Sequence, residues 1–340
     1  MNLRSTVLLF AAVAATAFSQ EKPAPSRSAA DPLDSLDAAQ MQKAIDALRQ
    51  THVRGSSLDA TSLTRATLRG LLESLSPGAE LADAQPAPAA ESPFRSEILD
   101  ARAGYVRLGS LSAENLGLLD TALREFAEKK VHGVVLDLRA TPETTDFALA
   151  AQAAGRFVPA GTALFSLAGT APASSRDFVS EGVPLFRGAI VVIIDENTAG
   201  AAEALAATLR WNARALLVGT RSSGRCVEFT LVPLGGERQL RLATAEVRVA
   251  GQAVYPRGLR ADIEVAQDAE TRAAILKEAL EKGVAPFVFE TERAKLNEAA
   301  LVAGTNPEID SEPSAEGLVD RPLQRAVDLV TAIKLFRHQD

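Results

Sequence analysis

The sequence is poor in the residues that usually build metal, redox and nucleic-acid sites. It has one cysteine and three histidines, which offer no metal-ligand spacing, so we expect neither a metal nor another cofactor. The single cysteine, Cys226, leaves no internal disulfide. Aromatic residues make up 5% of the chain and the net charge is -7, so the stacking rings and the basic surface that nucleic acids require are both lacking. We expect no nucleic-acid partner.

Long hydrophobic runs are also lacking. The uncharged, mostly apolar stretch Val7–Phe18 is shorter than the roughly 20 residues that span a bilayer. Arg4 precedes it, and Ala17 and Ser19 place small residues where signal peptidase cleaves. The pattern predicts a signal peptide over residues 1–19, a mature chain that begins at Gln20, and export to the periplasm or the extracellular space with no stable membrane span.

What the chain does contain is the composition of an ordinary globular protein, with 47% apolar and 23% charged residues. Residues 20–34 are small, polar and proline-bearing, which predicts a flexible leader. Apolar residues at helical spacing predict two amphipathic helices within a helical region over residues 35–83. Residues 84–100 begin with a proline- and alanine-rich stretch, and we interpret them as a linker.

From residue 101 onward the pattern alternates between strands and helices. Continuous apolar runs predict buried strands of a parallel sheet at Gly133–Leu138, Ala189–Ile194 and Ala215–Val218. Further predictions are a strand at Tyr105–Leu108, helices after Ser112 and over Ala201–Arg210, and a hairpin of Val227–Leu234 with Gln239–Val249. The sequence therefore predicts an α/β core over residues 101–268 and a helical C-terminal extension over residues 269–340.

Four motifs in this core resemble those of the tail-specific, or C-terminal processing, serine peptidases. They begin at Gly104 (Gly-Tyr-Val-Arg), Gly133 (Gly-Val-Val-Leu-Asp-Leu-Arg), Val218 (Val-Gly-Thr) and Gly258 (Gly-Leu-Arg-Ala-Asp-Ile-Glu-Val), in the family's order and at fitting intervals. The resemblance implies a crotonase-like β/α core after an N-terminal helical prelude. It also implies a peptide-binding PDZ domain between the two, but only the linker lies there.

The family's catalytic residues are not matched. Its serine nucleophile lies in Gly-Ser-Ala-Ser-Ala-Ser-Glu; alignment on Glu203 places Gly200 at that position, and glycine has no atom that attacks a carbonyl. The family's lysine base lies in Gly-Lys-Gly, and Arg225 stands there; an arginine stays protonated in proteins. The glycine pair that supplies oxyanion donors in the family corresponds to Glu143 and Thr144.

These substitutions predict a non-catalytic homologue that binds peptides or unfolded protein segments. Its groove would contain Glu143, Thr144 and Ala201, with Gly200 and Arg225 on the floor, and Arg225 would pair with a peptide's terminal carboxylate. Two alternatives stay open. One is an active peptidase with a displaced nucleophile, for which Thr198 and Cys226 are the candidates. The other is a structural subunit that pairs with an active paralogue.

Overall fold

A computed structural model describes residues 32–83, 92–170, 175–289 and 318–337. The predicted signal peptide, most of the predicted leader and residues 84–91 of the predicted linker lie outside these ranges. The chain divides into two compact units, residues 1–68 and 69–340. Within the described ranges, no helix combines the length and the apolar character needed to span a membrane.

The first unit holds helix α1 (Ala38–Thr51) and most of helix α2 (Ala60–Ser74), the two helices that the sequence predicts. Asp37 begins α1 with a capping box: its side chain accepts from Gln40 N–H, and the Gln40 side chain accepts from Asp37 N–H. No residue of either helix is buried. The apolar positions of these helices therefore remain accessible to solvent.

The second unit contains two six-stranded sheets and five more helices among the described residues. The strands in chain order are β1 (Ala79–Asp83), β2 (Arg95–Leu99), β3 (Ala103–Arg107), β4 (Gly133–Asp137), β5 (Ala163–Gly169), β6 (Arg176–Val179), β7 (Ala189–Ile194), β8 (Leu216–Gly219), β9 (Val227–Gly235), β10 (Arg238–Val249), β11 (Gln252–Ala253) and β12 (Ile263–Glu264). The helices are α3 (Ala113–Glu128), α4 (Phe147–Gly155), α5 (Ala201–Asn212), α6 (Ala269–Lys282) and α7 (Arg321–Arg337).

The central sheet has the order β12-β8-β7-β4-β3-β2 and is parallel except for β2. Every residue of β4 and β7 is buried, as expected of strands covered on both faces. Alternate residues of these strands join two separate apolar clusters: Val134 and Leu136 pack with α3, α4 and α5, whereas Val135 packs with α6 and α7. The predicted α/β fold with a buried parallel sheet is confirmed.

The second sheet is antiparallel, in the order β1-β10-β5-β6, with β9 and β11 also paired to β10. It contains the predicted hairpin, β9 and β10. It also corrects the predicted helical region, because residues 79–83 form strand β1, paired with residues 238–242 of β10. The predicted linker likewise contains strand β2 of the central sheet.

A buried ionic group ties the C-terminal segment to the central sheet. Arg139, just beyond β4, donates to both carboxylate oxygens of Asp137 and to both of Asp320, which precedes α7. Burial would raise the pKa of Asp137, but Arg139 more than offsets burial and holds that pKa below its usual range. Because Asp320 also accepts from Leu323 N–H, one carboxylate both caps α7 and pairs with the core.

Candidate functional site

Three loops meet at the edge of the central sheet where its parallel strands end. The loop after β4 carries Glu143 and Thr144, the loop after β7 carries Gly200, and the loop after β8 carries Arg225. The carboxyl ends of parallel strands share one edge, which is the usual place for ligand sites in open α/β sheets. The structure thus brings together every residue that the sequence predicts for the site.

Gly200 stands directly before α5, at a sharp turn between β7 and that helix. Its φ is +57° and its ψ is -124°, a conformation that residues with a side chain rarely adopt. A Cβ atom added at Gly200 would lie 2.4 Å from the Thr144 carbonyl oxygen and 3.5 Å from Glu143 Cγ. The space that a nucleophilic side chain would need is therefore filled by the loop after β4.

The same loop also occupies the first backbone donor of α5. Ala201 N–H donates to the Thr144 carbonyl over 2.8 Å. A backbone N–H at this place, at the start of a helix, is suited to stabilising a developing oxyanion. Here its hydrogen bond is already made within the chain.

Arg225 belongs to an ionic cluster that spans the site. Its guanidinium contacts both carboxylate oxygens of Glu80, at 3.0 and 3.2 Å, and lies 3.2 Å from Glu143 Oε2. Arg241 contacts the same two carboxylates, Glu80 at 2.8 Å and Glu143 at 2.7 Å. The hydrogen bond from Arg225 lowers the pKa of Glu80. In this conformation Arg225, which the sequence predicts to pair with a peptide's terminal carboxylate, is paired with carboxylates of its own chain.

Phe229 completes the cluster from strand β9. The Arg241 guanidinium carbon lies 3.6 Å from the centre of the Phe229 ring, and that of Arg225 lies 5.5 Å from it. Both distances fit cation–π contacts, which favour a fixed guanidinium orientation.

Glu203 holds the loop that carries Arg225. Its carboxylate, fully buried in α5, accepts from Ser222 Oγ (2.5 Å), Ser223 Oγ (3.2 Å) and Gly224 N–H (2.8 Å). Burial nevertheless raises the pKa of Glu203. Ser222 Oγ also accepts from Leu259 N–H, so this carboxylate organises two of the motif segments at once.

Neither candidate for a displaced nucleophile is accessible. Thr198 is fully buried, and its hydroxyl accepts from Asp195 N–H and contacts the Asp195 carboxylate within a tight turn. Cys226 is also fully buried, and its thiol donates to the Gly200 carbonyl over 3.4 Å. Burial raises the pKa of Cys226 well above its ordinary value, so the reactive thiolate is disfavoured.

Sequence reasoning missed two members of the site, Glu80 and Arg241. They are directly opposite each other in the β1–β10 ladder but lie far apart in the chain. A surface depression of about 760 Å³ also borders Thr144, lined further by Asp146, Phe147, Arg176 and Phe178. It adjoins the site from the side of α4 and β6.

Residues 102–265 match the sequence model of peptidase family S41. The chain is 27% identical over 159 residues to a carboxyl-terminal-processing protease of Synechocystis and 30% identical over 170 residues to a carboxy-terminal-processing protease of Bartonella bacilliformis. These alignments cover 46% and 48% of this chain. They cover only 36% and 39% of the two relatives, so the chain matches well under half of either.

A solved structure assigned as a peptidase, from Parabacteroides merdae, has a similar fold. The TM-score is 0.50 at 15% identity, with 67% of this chain and 84% of the other covered. At that identity the likeness concerns the fold alone. The family match and the order of the motifs agree on the same segment, and the two relatives align over similar lengths. The sequence model of peptidase family S41 thus matches just under half of the chain, and this chain is a homologue of the C-terminal processing proteases.

Proposed function

We propose that this chain is an exported, non-catalytic homologue of the C-terminal processing proteases that acts by binding a peptide or protein segment. The observation that carries the proposal is Gly200, at the start of α5, with the Thr144 carbonyl in the space beside it. A serine-type mechanism needs an attacking oxygen, and glycine supplies none.

The surroundings of Gly200 support the same reading. Arg225 stands where the family has its lysine base. Burial would lower the pKa of Arg225, but the hydrogen bonds that its guanidinium donates to Glu80, together with the charge of Glu143, raise that pKa above its ordinary value. An arginine held in its charged form cannot accept a proton. The Glu143 side chain also lies next to Gly200, with its Cγ atom 3.5 Å from where a Cβ would stand. Its negative charge would oppose a developing oxyanion there.

The test of inactivity uses the purified protein with casein and with a serine-directed fluorophosphonate. We expect no casein hydrolysis and no labelling, while an active serine peptidase serves as the positive control. Hydrolysis that persists through repurification and is lost on Thr198→Val would contradict the proposal and favour a displaced nucleophile.

A second candidate function is that of a structural subunit paired with an active paralogue. The hydrogen bond from Ala201 N–H to the Thr144 carbonyl favours this function, because the loop after β4 then fills the site. A protein whose site is filled in this way would act through contacts elsewhere on its surface. Affinity capture from the native envelope distinguishes the two functions. Stoichiometric recovery of a second S41 peptidase supports the subunit; recovery of peptides or unrelated proteins supports the binding protein.

The exported location is a separate part of the proposal and rests on the N-terminal pattern of Arg4, the apolar stretch and Ser19. Mass spectrometry of the native protein should find a mature chain that begins at or near Gln20. Peptides that contain Leu3 and Arg4 in the mature pool would refute cleavage.

A further inference from the structure

We propose that Arg225 and Arg241 form a binding site for the C-terminal carboxylate of a peptide, and that Glu143 occupies this site as an internal substitute for the ligand. The inference rests on the proposed function, since it names the ligand chemistry of the same non-catalytic site. The Glu143 carboxylate contacts two guanidinium groups. Arg241 lies 2.7 Å from Oε1, and Arg225 lies 3.2 Å from Oε2.

The charges of the cluster explain why one carboxylate fits. Two arginines face two glutamates, Glu80 and Glu143, so the four side chains carry no net charge together. If Glu143 leaves, the cluster keeps one uncompensated positive charge. The Phe229 ring still lies against the Arg241 guanidinium. One monovalent carboxylate restores the balance, and paired guanidinium groups are well suited to hold it.

The two glutamates differ in how firmly the backbone holds them. Glu80 belongs to β1, whose residues pair in register with β10, so its position is fixed by a ladder of backbone hydrogen bonds. Glu143 lies in the loop between β4 and α4 and belongs to no strand or helix. Glu80 is thus a permanent part of the site, and Glu143 is the exchangeable ligand.

The neighbouring contact indicates that the external ligand is a peptide end. Glu143 and Thr144 are consecutive: the first offers a carboxylate to the arginines, and the second offers a carbonyl to Ala201 N–H. A peptide's last residues present the same pair of groups, a terminal carboxylate and a backbone carbonyl. When the loop moves away, both the arginines and the helix donor need new acceptors.

The test measures the binding of fluorescein-labelled penta-alanine to the intact protein by fluorescence polarisation. The same peptide with an amidated C-terminus reports binding that does not need the carboxylate. The variants are Glu143→Ala, which empties the site, and Glu143→Gln, which keeps the shape of the side chain without its charge. A further variant, Glu143→Ala with Arg225→Gln, removes one of the two recognising guanidinium groups and leaves Arg241 paired with Glu80. Glu228→Gln, which breaks the exposed ion pair of β9 with Arg176, is the matched control.

We expect each single Glu143 variant to bind the free acid about tenfold to 100-fold more tightly than the amide, the range for a charge-assisted hydrogen bond. Wild type and Glu228→Gln should bind the acid at least about tenfold more weakly than Glu143→Ala, because the internal carboxylate competes. The double variant should lose the preference for the acid. Equal binding of acid and amide by both Glu143 variants would overturn the proposal, as would a preference that survives Arg225→Gln.

The outcome is separable from that of the proposed function. Fluorophosphonate labelling of wild type would refute inactivity, whatever the peptides do. If the protein does not react with fluorophosphonate and the Glu143 variants bind the acid and the amide equally, only the carboxylate site is overturned.

Discussion

Replacing Gly200 with serine should destabilise the protein, although serine is ordinarily the better residue at the start of a helix. At a typical helix N-cap, serine stabilises the helix more than glycine does, by roughly a few tenths of a kcal/mol. Gly200 has a φ of +57°, and a Cβ there would meet the Thr144 carbonyl at 2.4 Å. Backbone strain of about 1–3 kcal/mol adds to the loss of the Ala201–Thr144 hydrogen bond, worth about 0.5–1.5 kcal/mol.

We therefore expect Gly200→Ser to lower the free energy of unfolding by about 2–4 kcal/mol, measured by urea denaturation with circular dichroism. Gly200→Ala is the matched control: it adds the same Cβ without a hydroxyl and should lose about as much. Thr144→Gly gives its peptide the freedom to turn the carbonyl away. In the double variant Gly200→Ser with Thr144→Gly, the losses should fall short of additivity by about 1 kcal/mol.

Two results would refute this reasoning. A Gly200→Ser protein as stable as wild type would mean that the Thr144 carbonyl does not restrict the position. Additivity within about 0.5 kcal/mol in the double variant would mean that the loss arises elsewhere. The same series bears on chemistry: Gly200→Ser with Arg225→Lys should label poorly with fluorophosphonate, and adding Glu143→Gly and Thr144→Gly should raise the labelling rate.

Three other expectations follow from buried groups. Burial raises the pKa of Glu203 above 4.5, and a carboxyl with a higher pKa in the folded state contributes stability at low pH that is lost as the pH rises through the folded pKa. The unfolding free energy of wild type relative to that of Glu203→Gln should therefore fall from about pH 4.5 to pH 7. A difference between the two proteins that does not change with pH in urea titrations would contradict this. Asp320→Asn removes one carboxylate from the buried Arg139 guanidinium and should lower the unfolding free energy by about 3 kcal/mol, whereas a change below about 1 kcal/mol would show that the pair is dispensable. The Cys226 thiol should react with Ellman's reagent only in denaturant, and rapid reaction of the folded protein would show that the thiol is exposed.

The sequence predicted the central sheet well because its strands carry a local signal. β4, β7 and β8 are mostly apolar runs. Ser112 directly precedes α3, and its side chain accepts from Asn115 N–H as a cap does. The edge strands carry no such signal. β1 and β2 mix charged and apolar residues, and each is a strand because of the strand it pairs with. The partner of β1 is distant in the chain, residues 238–242, whereas the partner of β2 is the next strand, β3.

The same distinction applies to the site. The positions of Gly200 and Arg225 follow from motif order, since loops after adjacent parallel strands meet at one edge. The carbonyl beside Gly200 and the pairing of Arg225 with Glu80 do not follow from it. Both depend on how the loop after β4 and the strand β1 pack in three dimensions, across separations of tens to more than a hundred residues.

The Arg139–Asp320 pair bears on how much of the chain the folded domain requires. The family match stops at residue 265, yet α7 supplies Leu323, Val327 and Val330 to the cover of the central sheet, and Asp320 supplies charge for an arginine inside it. In a protein shortened to residue 265, one face of the central sheet would be exposed to water, and the Arg139 guanidinium would lose the two acceptor oxygens of Asp320. The segment that matches the family model is thus smaller than the domain that folds, because helix α7 is part of the domain's core.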